Sequence, residues 1–235
     1  MLRTTRYILI AAGLAVAIGC SPTPPASTPA AATPAASDVV TLPEGMTSTR
    51  INSELPAAGH RDYAVTVAQG ELFMVTVSAG ETEIGLDVLK DGKPIAGISS
   101  GPMFWGGYAP TVGPFTISVK GPAKTKYVIE VRRPRRVLFD KGADLATLKA
   151  TALAQAELDY VVHAHPGQRL VFELQSASAA PYISVVRASD GKVLLDHASQ
   201  ADIFETLADA DAEYIVTVVA GSVDAEFTLL VRLGK

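Results

Sequence analysis

Apolar residues recur at every second position over short stretches of this chain. Leu158, Tyr160, Val162 and Ala164 alternate with Asp159, Val161, His163 and His165, and Leu170, Phe172 and Leu174 follow a Pro166-Gly167 turn. Tyr63, Val65 and Val67, then Phe73, Val75 and Val77 beyond Gly70, show the same arrangement earlier. A period of two sets one side of a strand on a core and the other in water. Turn signals punctuate the strands at Gly70, Asp91-Gly92, Gly121-Pro122, Gly167, Asp190-Gly191 and Gly221-Ser222,. Short strands joined by hairpins predict an all-β chain of antiparallel, jelly-roll-like β-sandwich units. One stretch argues otherwise: DLATLKATALAQAEL, residues 144–158, has high helix propensity,.

The chain also matches itself. EGMTSTRIN from Glu44 aligns with KGADLATLK from Lys141, and DYAVTVAQG from Asp62 with DYVVHAHPG from Asp159. DGK occurs at 91–93 and 190–192, FTISV at 115–119 stands against YIVTV at 214–218, and YVIEVR at 127–132 against FTLLVR at 227–232. A tandem duplication is expected, with sandwich domains at 38–135 and 136–235, each near the usual domain size. The helix-prone stretch aligns with TSTRINSELPAAGHR, which is no helix former, so duplication makes it extended or irregular, with a short helix open.

Composition changes the picture most at the start of the chain. Arg3 and Arg6 precede an apolar run from Tyr7 to Ile18, the pattern of an export signal over residues 1–19,. The run is shorter than the about 20 residues that span a bilayer. It ends Ala17-Ile18-Gly19-Cys20, and Cys20 is the single cysteine. This resembles a bacterial lipobox, in which the cysteine after the cut is lipidated, with Ala17 in place of the more usual Leu. Acyl chains contribute about 0.8 kcal/mol per buried CH₂, so stable anchoring is expected. Ser21 next to the cysteine is compatible with the outer membrane, the chain then facing the periplasm. Residues 20–37 are Pro- and Ala-rich, and read as a disordered tether reaching up to about 50 Å,.

The segment VLFDKG followed by DYVVHAHPGQRLVFEL and a late Tyr-bearing strand pair resembles two related groups. These are bacterial pre-peptidase C-terminal domains and periplasmic inhibitors of goose-type lysozyme. The resemblance covers most of 137–233, with a weaker echo over 39–133, and implies a β-sandwich and a protein partner. In the inhibitors a Ser-Gly pair typically precedes the late Tyr strand. Here Asp211-Ala212-Glu213-Tyr214 and Val112-Gly113-Pro114-Phe115 stand at that place, so no inhibitory residue is assigned.

Candidate chemistry is sparse. Gly97-Ile98-Ser99-Ser100-Gly101 matches G-x-S-x-G, but Pro102 through Gly107 do not start the helix a nucleophile elbow needs, so it reads as a small-residue turn,. His163 and His165 share a strand side, with Asp159 four residues back, and read as solvent-face histidines with too few ligands for zinc,. Asp209, Asp211 and Glu213 read as a solvated acidic edge that deters aggregation,. No catalytic residue, metal or cofactor is assigned. The loop 101–113 groups Phe104, Trp105 and Tyr108 among glycines, either as core fillers or as binding anchors, and Ile203 and Phe204 are their counterparts later in the chain,.

Charge is uneven. Residues 38–136 hold 11 basic and 10 acidic side chains, and 137–235 hold 7 and 14, a balance of +1 against −7. An acidic half excludes nucleic acid as the partner and suits a cationic one. Arg132, Arg133, Arg135 and Arg136 mark the junction; they read as a solvated hinge stiffened by Pro134, or as a patch that touches anionic lipid or the acidic neighbour,. The expected function is non-catalytic binding of a protein, lysozyme being the sharpest form, or of a cell-wall component. The alternative is an accessory domain pair of an envelope assembly or secretion complex.

Overall fold

The computed structural model describes residues 38–177 and 181–234; the leader, Cys20 and the proline-rich tether lie outside the described residues. Among the described residues no helix is long and apolar enough to cross a membrane. The chain forms β1 (Asp38–Val40), β2 (Ser48–Glu54), β3 (His60–Val67), β4 (Leu72–Ser78), β5 (Gly85–Lys90), β6 (Lys93–Pro94), β7 (Ser99–Gly101), β8 (Phe104–Tyr108), β9 (Gly113–Lys120) and β10 (Lys126–Arg132). There follow β11 (Arg135–Arg136), β12 (Leu145–Ala152), β13 (Glu157–Ala164), β14 (Arg169–Gln175), β15 (Tyr182–Arg187), β16 (Val193–Leu195), β17 (Ile203–Leu207), β18 (Ala212–Val219) and β19 (Ala225–Gly234).

These strands make four sheets, two to a sandwich. The first sandwich pairs the order β1-β3-β9-β5-β6 with β2-β10-β4-β8-β7. The second pairs β11-β13-β18-β15-β16 with β12-β19-β14-β17. The strand order of one sandwich thus recurs in the other. Pairing is antiparallel except that β1 runs parallel to β3, and β11 parallel to β13. Inward side chains fill two separate cores. Tyr63, Phe73, Phe115, Ile117 and Ile129 anchor the first, and Leu158, Leu170, Phe172, Ile183 and Tyr214 the second. Each such burial contributes about 1.5–3 kcal/mol.

Two local outcomes bear on the site. The helix-prone stretch is strand β12, matched residue for residue to β19 from Leu145–Arg232 to Ala152–Ala225. Its alternating burial packs Ala146 and Ala152 inward, and tertiary pairing outweighs propensity there,. The glycine-rich segment expected to be a loop is instead the β7–β8 hairpin. Ser99 lies in β7, opposite Gly106, with strand rather than helix after the turn, so the G-x-S-x-G match has no nucleophile elbow around it.

The two sandwiches meet through the outer face of the β4–β8 sheet and the outer face of the β13–β18 sheet. Leu72, Met74 and Tyr108 pack against Val161, Val186, Ala188 and Ile215. The face of β13 expected to lie in water is therefore covered at Asp159 and Val161, which are fully buried, and stays exposed at His163. Arg132, from the end of β10, reaches Asp159 Oδ1 at 3.1 Å and also pairs with Glu157 and Glu130. The Thr217 hydroxyl donates to Asp159 Oδ1 at 2.7 Å, and the Asp159 amide donates to Thr47 Oγ1 at 2.7 Å. Burial pushes the Asp159 carboxyl above its usual range, and Arg132 works against that shift. Arg133 forms a two-pronged pair with Glu71, both bonds 2.8 Å. The segment is thus a packed, ion-paired joint that touches the acidic neighbour rather than a solvated hinge, because Arg132, Arg133 and Arg136 face carboxylates from the two sandwiches, while Arg135 donates to the Gly45 carbonyl.

Candidate functional site

Of the residues singled out for chemistry, His163, His165, Asp211 and Glu213 converge at the rim of this joint. His163 is directly opposite Glu213 in the β13–β18 register, so both side chains project from the outer face of the sheet. His165 and Asp211 flank the same two strand ends and are exposed. His163 Nε2 is 3.0 Å, and His165 Nδ1 2.6 Å, from the same Asp211 oxygen, Oδ1. His163 Nδ1 stands 3.5 Å from Glu213 Oε1. The imidazoles are edge to face, with centroids 4.8 Å apart. The backbone amide of His165 donates to Gln168 Oε1 at 2.8 Å, which steadies the turn carrying the second ring.

Behind the histidines, the cluster continues into the first sandwich. Arg136, on β11, donates to both oxygens of Glu213, at 2.9 and 3.3 Å. The same guanidinium donates to the Tyr108 hydroxyl at 3.2 Å. Burial, reinforced by the neighbouring Glu213 carboxylate, pushes the Tyr108 hydroxyl up to about 12. The hydrogen bond from His165 holds the Asp211 carboxyl below its usual range. A polar chain therefore runs Tyr108, Arg136, Glu213, His163, Asp211, His165, from covered joint to open water. It can accept protons, bind a cation, or offer an acidic rim to a basic partner.

The acidic trio splits up. Asp209 Oδ1 accepts from Arg187 at 2.5 Å and Oδ2 from Lys192 at 3.0 Å, so this carboxylate is saturated away from the histidines. Asp211 and Glu213 belong to the cluster. The trio expected as a solvated acidic edge is solvated at Asp209 and Asp211 and ion-paired at all three acids, and β18 lies inside its sheet, between β13 and β15, rather than at an edge. Asp159, read beside the histidines, is instead inside the joint. Nothing in the sequence separates a buried Asp159 from a wet one except Val161 two residues on, a large apolar side chain on the supposedly polar face.

The five aromatic and aliphatic candidates part company. Trp105 is 4% exposed, its ring 4.5 Å from Phe73 and its Nε1 donating to Ile95 O at 3.2 Å. A Cβ on Gly107 would stand 2.8 Å from the indole, and one on Gly97 2.5 Å from Gly106 O, so these glycines make room for the ring and for the close backbone approach. Tyr108 is committed to the joint. Phe104 is half-buried beside Gly106, and Phe204 packs inward opposite Phe172. Ile203, 54% exposed, faces out with Leu207, 64% exposed, on β17, the edge strand of its sheet. Leu207 was not anticipated, although its i+4 spacing from Ile203 on one strand signals a shared face.

No family model matches the chain, and no curated protein sequence matches it. Three solved structures show low likeness. A periplasmic inhibitor of g-type lysozyme from Aeromonas hydrophila is 18% identical, over 43% of this chain and 95% of its own, at a TM-score of 0.37. A CUB–EGF–CUB fragment of human MASP-1/3 is 10% identical over 80% of this chain and 100% of its own, at 0.27. The major capsid protein of bacteriophage PM2 is 10% identical over 80% of this chain and 98% of its own, at 0.21. At TM-scores this low they assign the chain to no family; what stands is the all-β sandwich architecture itself.

Proposed function

We propose that this protein is a non-catalytic binding module of the bacterial envelope, held at the outer membrane by a lipid on Cys20 and displayed in the periplasm, with a basic protein as its partner. The observation that carries the reading is the outer face of the β12–β19–β14–β17 sheet. Ile203 and Leu207 are both more than half exposed there, with Leu145 exposed across the sheet. Register sets Ile203 beside Glu173, and Leu207 beside Arg169, whose guanidinium pairs with Glu205 at 2.7 Å. Apolar anchors ringed by charge, on a strand that is the edge of its sheet among the described residues, suit protein recognition,. The surplus of seven acids in this half favours a cationic surface opposite,.

Goose-type lysozyme is the sharper form of this reading, supported by the sequence resemblance over 137–233 and by that charge. The test is peptidoglycan digestion by such a lysozyme with the purified chain in micromolar excess. Slowing is expected, and Ile203→Asp with Leu207→Asp relieves it. Undiminished digestion removes lysozyme as the partner. Affinity capture from the native envelope then separates another basic protein from a secretion or transport assembly, the accessory role.

A further inference from the structure

The geometry points to a transition-metal site of the zinc class formed by His163, His165 and Asp211. A strand rise of about 3.3 Å per residue brings side chains two apart to one face. His163 and His165 use that spacing, and the neighbouring strand end supplies the third ligand, which a linear reading of one strand does not contain. One ligand atom from each of the three residues lies within 4.8 Å of the other two. Zinc binds imidazole nitrogen at about 2.0–2.1 Å and carboxylate oxygen at about 2.0–2.2 Å, so tetrahedral ligand atoms stand about 3.3 Å apart. The observed 3.0 and 2.6 Å to Asp211 Oδ1 reach that spacing by small rotations of exposed side chains.

A second feature supports the assignment independently. Histidines that bind metal through one nitrogen usually offer the other to a carboxylate, which fixes the ring and raises its basicity. His163 turns Nε2 toward Asp211 and Nδ1 toward Glu213 at 3.5 Å. Glu213 is in turn held by Arg136, so its charge is balanced before any ion arrives. The ligand set is then two neutral imidazoles and one carboxylate. That set suits zinc, copper or nickel. It does not suit calcium, which takes 6–8 oxygen ligands. The outward side stays open, leaving a coordination position for water or for a side chain of a bound partner.

The test uses the full chain carrying Cys20→Ser, so that no thiol competes, titrated with zinc chloride by calorimetry. One ion per chain is expected. His165→Ala and Asp211→Asn are each expected to lower the affinity by at least about tenfold, the scale on which even outer ligand partners act. His60→Ala, on the other sandwich, leaves it unchanged. All three side chains are exposed, so the thermal midpoint without zinc is expected to be the same in every variant, which separates lost ligation from lost folding. The proposal is overturned if the chain binds no zinc, or if His165→Ala and Asp211→Asn bind it as tightly as the parent.

Discussion

Trp105 illustrates how one side chain is held and what it is worth. Its ring lies against Phe73, its Nε1 has a carbonyl partner at Ile95, and two glycines leave it the space. Trp105→Ala is expected to cost about 3–5 kcal/mol, by lost burial and by the cavity left behind, read as a lower midpoint in urea. A shift under about 0.5 kcal/mol, the usual size of an exposed substitution, would mean that the ring does not sit in the core. The sequence shows that an indole stands among glycines, and both fates of such a ring are common. Deciding between them takes the opposite strand: Val75 pairs with Trp105 and faces the core. For His163 and His165 the same limit applies. Their shared side follows from spacing, but Asp211 reaches them only because β18 runs antiparallel alongside β13.

Elements were more legible than side chains. Alternation and turn residues place most of the strands, while the self-match leaves β12 extended or irregular, with a short helix open, and the structure makes it a strand in spite of its alanines and leucines. Pairing to β19 over all eight rungs, with Ala146 and Ala152 buried in the second core and Leu148 and Ala150 packed against it, is the physical reason: alternation buries one face there, and packing outweighs propensity,. The β15–β16 hairpin adds a pH signature. Arg187 donates to both Asp190 oxygens, at 2.9 and 2.5 Å, and the Lys192 amide donates to Oδ1 at 3.1 Å. The Arg187 bonds, with the amide second, lower the Asp190 carboxyl to about 2. A carboxyl depressed in the folded state stabilises it above its unfolded value near 3.8, and that stabilisation disappears as pH falls through about 2,. Asp190→Asn should therefore lower stability at neutral pH, by less as pH falls from about 4 towards 2, and make no difference well below pH 2,. A deficit that persists undiminished at pH 2 would show that the ion pair is not its source. Asp190 is solvent-facing, so the effect is small.

Among the described residues, the joint holds the two sandwiches against each other. Arg132 brings a positive charge to the fully buried Asp159, and Arg133 binds Glu71. Removing one partner of a buried pair leaves the other charged and desolvated, which costs about 3–5 kcal/mol. Arg132→Ala is expected to show that loss at neutral pH. Without the guanidinium the Asp159 carboxyl rises further, and a group whose folded value is raised binds its proton more readily in the folded state. The variant should accordingly recover part of its deficit as pH falls, and Arg132→Ala with Asp159→Asn should recover it at neutral pH. A deficit independent of pH, and unrelieved by the second substitution, would place the effect elsewhere. Sequence alone determines the regularly alternating strands, their turns, the inward residues of those strands and the acid surplus, because a period of two and special turn residues are local properties; the β7–β8 hairpin, β12 and the burial of Trp105 it leaves open. Tertiary structure alone decides which outward face is covered, that Asp159 is dry, that the arginines form a joint, and that His163, His165 and Asp211 share one point. Those outcomes depend on which surfaces meet, and a meeting of surfaces distant along the chain leaves no periodic trace in it.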